Sequence, residues 1–380
     1  MKEKLLRFAS YVLVAALATL ITLAMVGMNP PSKLDRLEAL IQDCFIGETD
    51  VQKMEDAAAA AMVKATGDRW SYYISAKDLE AHREQEQNAY VGVGITILAQ
   101  EDDSGFLIVT VESGGSAMEA GIEANDLLIA VGDQDVRGMT TGEVGALVKG
   151  EEGTIVPMTV LRQGEHITFS VERRRIEQAV AEAELLENGI GLVRIYNFDA
   201  RCAEETISAI EKLRAEGAKK LIFDVRNNPG GFAEELVNLL DYLLPEGDLF
   251  RSVSFDGKEE VDISDADFLD MPMAVLVNGD SYSAAEFFAA ALMDYEAAVV
   301  VGEPTVGKGY YQQTIELGDG SAVALSTGKY FTPKGTSLAG KGLTPDIRVD
   351  VDEETADGIY YGTIPASEDP QIKAAIKALK

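Results

Sequence analysis

The spacing of hydrophobic and polar residues divides the chain into parts with different periods. Between residues 33 and 87 the apolar side chains recur every three or four positions, which predicts helices. These helices lie at 33–46, 51–66 and 76–87. From residue 90 the period changes to two, which predicts short strands separated by turns. The strands lie at 92–98, 105–111, 126–131, 155–162 and 166–171, with short helices at 116–120 and 141–148.

After residue 175 strand and helix patterns alternate, which favours an α/β domain. The predicted strands lie at 191–196, 220–225, 273–277, 297–301, 314–317 and 322–331, and the predicted helices at 203–215, 233–243, 284–293 and 371–380. The acidic stretch 350–357 is expected to be solvated. The fold class that follows is an α+β multidomain chain. Its predicted parts are a helical region (33–87, of which 68–87 docks on the core), a β-rich domain (88–173), an α/β core (174–350) and a tail with a helix (351–380).

The N-terminal segment predicts insertion into a membrane. Residues 8–28 carry no charged side chain, and as a helix they would span roughly 30 Å of hydrocarbon. Lys2, Lys4 and Arg7 precede this run, so the N-terminus is expected in the cytoplasm and the bulk of the chain outside it. The run is long for a secretory signal and no clean cleavage site follows it. This favours an uncleaved signal anchor over a cleaved signal peptide.

Charge and composition exclude several classes of function. The net charge of -31 repels phosphate backbones, so nucleic-acid binding is not expected. Cys44 and Cys202 are too few for a disulfide framework or a zinc site, and two buried free thiols are expected in preference to one bridge. The two histidines, His82 and His166, lie far from any serine in a buried turn. A Ser-His-Asp triad and a zinc enzyme are therefore disfavoured, and no metal or cofactor is expected.

Two short motifs are excluded by their context. Residues 302–309 nearly match a phosphate-binding loop, but Gly309 replaces the hydroxyl residue that would hold magnesium, and a strand follows where a helix is required. Residues 326–329 match S-x-x-K, but Ser326 lies inside an alternating strand instead of at the start of a helix. Neither motif therefore predicts its usual activity.

Ser283 and Lys308 form the best candidate for a nucleophile and its base. Ser283 would begin the helix 284–293, where free amides and the helix dipole favour developing negative charge. Lys308 lies in a Gly-Lys-Gly turn flanked by apolar and aromatic residues; a lysine can act as base once burial lowers its pKa from about 10.4. Gln312 on the next strand can orient the amine. On local physics alone, a helix-capping serine and a surface lysine remain the simpler interpretation.

Two glycine-rich turns can present free backbone amides. The Pro-Gly-Gly turn at 229–231 follows a buried strand and precedes a helix, although an ordinary strand-to-helix turn would use the same residues. Gly92 and Gly94 let the backbone direct N–H groups to one point, as needed to hold a carboxylate, although two glycines also mark a simple tight turn. An extended peptide would then add as a strand beside 93–97.

The β-rich part resembles a PDZ domain. The resemblance rests on Y-V-G-V-G-I at 90–95 and on G-S-A-M-E-A-G at 115–121 leading to N-D-L-L-I-A-V at 125–131. It implies a small barrel-like domain that binds the C-terminus of a peptide. The implied peptide-binding residues are Val91, Gly92, Val93, Gly94 and Ile95.

Beyond the PDZ-like part, ordered motifs resemble the C-terminal processing peptidases, a family of tail-specific serine proteases. The chain has S-A-A-E at 283–286, a Gly-Lys-Gly turn whose lysine lies 25 residues after the serine (308 − 283), and glutamine four residues further on. It also has R-N-N-P-G-G at 226–231 and G-x-x-P-D at 342–346. The resemblance covers residues 68 to 346, and it implies a crotonase-like catalytic core preceded by a membrane or export segment.

Carried over residue by residue, the resemblance implies a role for each site residue. Ser283 would attack the scissile carbonyl, Lys308 would be its base and Gln312 would position the lysine. The oxyanion would be held by the amide of Ala284 and by a glycine amide, from Gly230 or Gly231. The PDZ domain would bind the C-terminus of a protein or peptide substrate, expected to be apolar, and would gate the core.

Two departures from the family pattern bear on these roles. Residues 281–286 read S-Y-S-A-A-E, whereas the family more often has S-A-S-A-S-E. The nucleophile is kept, and a bulky Tyr282 is added beside it. Where family members often carry an arginine that couples the PDZ domain to the core, this chain has Lys149, which keeps the charge but loses bidentate geometry. The second departure concerns gating and leaves the chemistry in place.

Three functions from different classes compete. The first is a membrane-anchored serine protease acting outside the cytoplasm, with a homodimer formed through the helices before residue 87. The second is a non-catalytic PDZ scaffold on an inactive protease core. The third is a crotonase-like hydrolase or isomerase acting on thioesters, which the PDZ-like part disfavours. Retention of Ser283, Lys308 and Gln312 together favours the first.

Overall fold

The computed structural model describes residues 11–14, 16–19, 31–100, 102–112 and 114–379. The predicted membrane segment 8–28 lies largely outside these residues, and its two described stretches, 11–14 and 16–19, are helical. Within the described part of the chain, no helix combines the length and the apolar character needed to cross a bilayer. The chain divides into two compact units, Met1–Tyr73 and Ile74–Lys380.

The unit Met1–Tyr73 contains the two predicted amphipathic helices. They are α1 (Lys33–Cys44) and α2 (Val51–Lys64), and the strand β1 (Tyr72–Ile74) spans the boundary between the units. Helix α1 begins with a capping box, in which Ser32 Oγ accepts from Asp35 N–H at 3.2 Å and the Asp35 carboxylate accepts from Ser32 N–H at 2.7 Å. Neither helix contains a buried residue.

The β-rich part of the second unit is built on an antiparallel sheet of order β3-β4-β5-β7-β8. Its elements are α3 (Leu79–Glu86), β2 (Ala89–Gly92), β3 (Ile95–Ala99), β4 (Phe106–Val111), α4 (Ser116–Ala120), β5 (Leu127–Val131), β6 (Gln134–Asp135), α5 (Thr141–Val148), β7 (Ile155–Arg162), β8 (Glu165–Glu172) and β9 (Arg174–Glu177). The single strand expected at 92–98 is two strands. Gly94, at φ +78°, turns the chain, so that β2 pairs with β9 and β3 pairs with β4.

The core is an α/β domain, as predicted. Its elements are β10 (Ala181–Leu186), a 3₁₀ turn (Glu187–Gly189), β11 (Ile190–Ile195), α6 (Cys202–Ala215), β12 (Lys220–Asp224), α7 (Ala233–Leu243), β13 (Gly247–Ser254), β14 (Glu259–Ser264), β15 (Met273–Val277), α8 (Ala284–Asp294), β16 (Ala298–Gly302), β17 (Tyr310–Glu316), β18 (Ala322–Phe331), β19 (Ile347–Arg348), α9 (Glu353–Tyr360) and α10 (Pro370–Ala378). The central sheet has the order β10-β11-β12-β15-β16-β19 and is parallel except for β10.

Helices cover both faces of the central sheet, which explains its nearly continuous apolar strands. Leu221 and Phe223 of β12 pack in the cluster that contains α6, α7 and α8, whereas Ile222 packs in the cluster that contains α10. Strands β12, β15 and β16 are neighbours and run in the same direction, so their carboxyl ends meet at one edge. In open α/β sheets this edge is where sites form.

Some expectations were wrong or incomplete. The hairpin of β13 and β14 was not predicted, nor was helix α9, which overlaps the acidic stretch 350–357. The acidic side chains of that stretch are exposed, as expected. Cys202 is buried as expected but Cys44 is exposed, and both are free thiols. His82 is half-buried, with its Nε2 3.3 Å from Glu86 Oε1.

Candidate active site

Ser283 lies at the sharp turn between the buried strand β15 and helix α8. Its backbone has φ 58° and ψ −126°, a strained conformation for a residue other than glycine. The turn is held from below by Ser281, whose hydroxyl donates to Val225 O at 2.7 Å and accepts from Asn278 N–H at 3.0 Å. A strained serine between a strand and a helix is the arrangement that presents a nucleophile at the end of a sheet.

The start of helix α8 supplies one of the predicted oxyanion donors. Ala284 is the first residue of the helix, and among the described residues its N–H has no acceptor. The dipole of α8 also favours negative charge at this end. The amide of Ala284 therefore lies next to Ser283 without an acceptor among the described residues, and its role as an oxyanion donor stays a prediction.

The structure separates the two glycines that were alternatives for the second donor. Gly230 N–H donates to Asn228 Oδ1 at 2.8 Å, whereas Gly231 N–H has no acceptor among the described residues. Gly230 instead provides close packing, because a Cβ at this position would lie 2.6 Å from Ser283 Cβ and 2.8 Å from Ala284 N. The geometry thus favours the amide of Gly231 and explains the small residue at 230.

Hydrogen bonds join the Pro-Gly-Gly loop to the serine turn. The side chain of Asn278 binds Asn227 of the other loop twice: its Nδ2 donates to Asn227 Oδ1 at 2.8 Å, and its Oδ1 accepts from the backbone N–H of Asn227 at 2.9 Å. Tyr282 N–H donates to Asn228 O at 3.1 Å. The two segments that would form the oxyanion hole are therefore one hydrogen-bonded assembly.

Glu286 links the serine turn to the lysine turn, a role that the sequence motif alone did not reveal. Its side chain is fully buried, and it accepts hydrogen bonds from Ser283 N–H at 3.1 Å, Gly307 N–H at 2.7 Å and Lys308 N–H at 2.9 Å, and also from the Thr305 hydroxyl. Burial raises the pKa of Glu286, while these four donors act in the opposite direction and suit the ionised carboxylate. Glu286 therefore sets Ser283 and Lys308 relative to each other.

Lys308 is half-buried in a turn that glycine makes possible. A Cβ at Gly307 would lie 2.7 Å from Gly342 N, and a Cβ at Gly309 would lie 2.6 Å from Ala339 N, so the turn packs directly on the segment 338–342. The amine Nζ lies 5.9 Å from the centre of the Tyr282 ring. The added tyrosine therefore forms part of the environment of the lysine.

Gln312 lies on β17, opposite Ser326 of β18. Its Nε2 donates to Ser326 Oγ at 2.9 Å and to Tyr310 O at 3.2 Å. These bonds fix the amide four residues beyond Lys308. Its role in orienting the amine stays a prediction.

Tyr330 is a site residue that sequence reasoning missed. Its hydroxyl donates to Ser283 Oγ at 3.1 Å, and its side chain is buried. The residue lies on β18, 47 positions from the serine, and no local pattern connects the two. The pairing of β18 with β17 and with β13 brings it to the nucleophile.

Arg226 is a second residue whose environment the sequence did not reveal. It is buried behind the loop 226–231 and forms ion pairs with Asp224 at 2.6 Å and with Asp369 at 2.8 Å. It also donates to Gln371 Oε1 at 2.9 Å. Arg226 thereby fastens the start of helix α10 to the loop that carries Gly231.

The predicted peptide-binding residues fall into two groups. Val91 and Gly92 belong to β2 and pair with Arg175 and Arg174 of β9, so they form part of the connection to the core. The other three, Val93, Gly94 and Ile95, form the turn into β3 and its first residue. Strand β3 is an edge of its sheet, and helix α5 packs beside it. An edge strand next to a helix is the geometry in which a peptide adds as a further strand.

Lys149, the candidate for gating, lies directly after helix α5. Its Nζ is 5.3 Å from the centre of the Tyr90 ring, and the Tyr90 hydroxyl lies 3.5 Å from Glu112 Oε1. Burial, followed by the charge of Glu112, raises the pKa of Tyr90 to about 12. The amine of Lys149 therefore lies over the ring of Tyr90, which belongs to β2.

Two family models match this chain. The model of peptidase family S41 matches residues 189–349, which contain Ser283, Lys308 and both glycines of the loop. The model of the PDZ domain matches residues 107–162, which include Lys149 but not the turn at 91–95.

Among curated proteins, the chain is 31% identical over 367 residues to the carboxy-terminal processing protease CtpA of Bacillus subtilis (strain 168), covering 92% of this chain and 78% of that protein. It is also 31% identical over 324 residues to a CtpA-like serine protease of Staphylococcus aureus (strain COL), covering 84% of this chain and 64% of that protein. Among solved structures, a protein of Bacteroides fragilis NCTC 9343 described as an S41 protease superposes with a TM-score of 0.56 at 16% identity, covering 92% of this chain and 97% of that one. That last likeness concerns the fold alone.

Proposed function

The chain belongs to peptidase family S41, and we propose that it is a serine endopeptidase that cleaves protein substrates near their C-termini. The observation that carries the proposal is the buried carboxylate of Glu286, which joins the backbone of Ser283 to the backbone of Lys308 at the carboxyl edge of the central sheet. A capping serine and an unrelated surface lysine would not need this link.

The proposed reaction has two steps. Ser283 Oγ attacks the scissile carbonyl carbon and transfers its proton to the neutral amine of Lys308. The carbonyl oxygen becomes an oxyanion, held by the N–H groups of Ala284 and Gly231. Lys308 then gives the proton to the leaving amine as the C–N bond breaks. A water molecule repeats the sequence on the acyl-enzyme, releasing the new C-terminus and restoring the Ser283 hydroxyl.

We propose further that the PDZ domain binds the free, apolar C-terminus of the substrate. Support comes from the exposed edge of β3, which has the turn at Gly94 at its start and helix α5 at its side. Addition of the substrate as a strand would present its C-terminal carboxylate to this turn. A substrate whose C-terminus is amidated should therefore be bound and cleaved less well.

We propose that the PDZ domain gates the core through strand β2. Strand β2 leads out of the core after Asn88, whose side chain exchanges hydrogen bonds with Asn197 at 2.6 and 3.1 Å. The next residue, Phe198, pairs with the Pro-Gly-Gly loop: its N–H donates to Gly230 O at 2.7 Å. A movement of β2 would therefore shift Asn197 through its bonds to Asn88. The adjacent residue Phe198 would pass the shift to the loop that contains Gly230 and Gly231.

We also propose that the N-terminal segment anchors the enzyme in the cell membrane with its catalytic part outside the cytoplasm. The support is the uncharged run 8–28 with positive residues before it. Helix α1 carries exposed leucines at 34, 37 and 40, which suits contact with a second copy of the chain. Size measurement of the protein lacking residues 1–30, with and without those leucines, tests the dimer.

The catalytic proposal is tested with an unstructured protein substrate that ends in apolar residues. Ser283→Ala and Lys308→Ala should each lower kcat/KM at least ~10³-fold, because each removes a group that acts on the reacting atoms. Lys334→Ala, at an exposed lysine outside the site, is the matched control and should keep the wild-type rate. Equal cleavage by all four proteins would refute the mechanism. Binding of the substrate C-terminus without any cleavage by the wild type would favour a non-catalytic PDZ scaffold.

A further inference from the structure

Tyr330 holds a position that a residue with only a structural role does not need. Its side chain is 4% exposed, and its hydroxyl donates to Ser283 Oγ at 3.1 Å. A buried phenol can satisfy its hydroxyl with any carbonyl oxygen, yet this one is directed at the candidate nucleophile.

The ring of Tyr330 is fixed by its surroundings. It packs edge-on against Phe287 of helix α8, with ring centres 4.2 Å apart, and it contacts Phe250 of β13 at 5.5 Å. Its backbone N–H donates to Gly309 O at 3.3 Å, beside Lys308. The same residue therefore touches the serine through its side chain and the lysine turn through its backbone.

We propose that Tyr330 is a further catalytic residue, whose hydroxyl stabilises charge on Ser283 Oγ when the ester bond forms and when it breaks. The inference rests on the proposed peptidase function, since it assigns a second partner to the same nucleophile. Ala284 and Gly231 serve the oxygen of the substrate carbonyl; Tyr330 serves the oxygen of the serine.

Each step keeps the proton of Tyr330 on its own oxygen. During acylation the Ser283 proton moves to Lys308 Nζ, so negative charge grows on Oγ as the proton leaves and passes to the carbonyl oxygen as the bond from Oγ to the carbonyl carbon forms. During deacylation that bond breaks, Oγ leaves with the electron pair, and the proton returns from Lys308. The Tyr330 O–H donates to Oγ throughout, and its hydrogen bond is strongest when the charge is largest.

The protonation state of Tyr330 suits this role. Burial raises the pKa of its hydroxyl above the ordinary value, and the nearby charge of Glu286 raises it further, whereas the contact with Ser283 acts in the opposite direction. The phenol therefore remains protonated, and can donate, at neutral pH.

The test is Tyr330→Phe, which keeps the ring and removes only the hydroxyl. A hydrogen bond to a charged atom accounts for a roughly 10- to 100-fold change in rate, so kcat should fall by about this factor with KM within about twofold of wild type. Labelling of Ser283 by a fluorophosphonate should slow in parallel. The matched control is Tyr295→Phe, which removes a tyrosine hydroxyl that donates to Asp248 O at 2.9 Å; both rates should stay at the wild-type value.

A second variant covers the case in which Tyr330→Phe does not fold. With 3-fluorotyrosine at position 330, the ring is nearly unchanged but the hydroxyl is a stronger donor, so kcat should rise above the wild-type value. The inference would be overturned if Tyr330→Phe kept the wild-type kcat and labelling rate, or if fluorination left kcat unchanged. In either case the peptidase function would still stand, provided that Ser283→Ala is inactive. Full activity in Ser283→Ala would instead remove the peptidase function itself.

Discussion

Replacement of Glu286 by glutamine is the most direct perturbation of the link between the two halves of the site. The two oxygens of Glu286 accept two hydrogen bonds each: one from Thr305 and Gly307, the other from Ser283 and Lys308. Glutamine keeps the size of the side chain but turns one acceptor into an N–H₂ donor. With the N–H₂ toward Ser283 and Lys308, two backbone N–H groups face a donor. With the N–H₂ toward Thr305 and Gly307, the Gly307 N–H faces a donor, while the Thr305 hydroxyl can rotate and accept.

The size of the effect follows from the one or two backbone donors that lose their acceptor. A buried donor left without its acceptor costs roughly 1–3 kcal/mol, and removal of a buried charge offsets part of the sum, so we expect a net loss of about 2–4 kcal/mol. For a domain of this size that lowers Tm by roughly 5–15 °C. Because Ser283 and Lys308 are no longer held together, kcat/KM should fall at least ~100-fold even where the variant is folded.

The assay combines thermal unfolding with cleavage of the unstructured substrate at a temperature well below both transitions. Glu234→Gln is the matched control, since Glu234 also lies in the first turn of a helix but is exposed. The control should keep the wild-type Tm and rate. A Glu286→Gln variant that unfolds early but cleaves at the wild-type rate would show that the carboxylate supports the fold alone, and the argument for the link would fail.

Two other substitutions address the oxyanion loop and its surroundings. Gly230→Ala would place a Cβ 2.6 Å from Ser283 Cβ, so kcat should fall at least ~100-fold. The control Gly217→Ala, at a similar φ of +104° but in open space, should leave kcat unchanged. Equal kcat values in the two variants would refute the packing argument. Asp199→Asn should raise Tm at pH 8 more than at pH 5. Burial raises the pKa of Asp199 to about 7, and the charges of two neighbouring glutamates act in the same direction. Between about pH 4 and pH 7 the folded protein therefore keeps a proton that the unfolded chain has lost, so the free energy of unfolding falls as pH rises through this range. An equal gain in Tm at both pH values would contradict this sign.

The parts of the fold that the sequence predicted are those with a strong local signal. Strand β15 is uniformly apolar, the turn after it contains Asn278 and Gly279, and helix α8 follows with helical spacing, so strand, turn and helix could each be recognised. The Gly-Lys-Gly turn was equally distinct because its glycines are required by close approach of the segment 338–342. Both catalytic candidates lie in such places.

The parts that were missed depend on contacts between residues far apart in sequence. Tyr330 reaches Ser283 through the pairing of β18 with β17 and with β13, and in an alternating strand it looks like any other core tyrosine. The β13–β14 hairpin escaped notice because most residues of Glu259–Ser264 are exposed on both faces, which leaves no period of two in burial. The choice between Gly230 and Gly231 depended on a bond to the Asn228 side chain, which no spacing reveals.

The buried arginine has a consequence for how the molecule opens. If helix α10 detaches from the sheet, Arg226 loses its ion pair with Asp369 and its hydrogen bond to Gln371, and keeps only Asp224 as a charged partner. We therefore expect the loop that carries Gly231 and the segment 369–379 to open as one cooperative unit, with similar protection against hydrogen exchange. This unit extends twenty or more residues past 349, where the match to the peptidase family model ends.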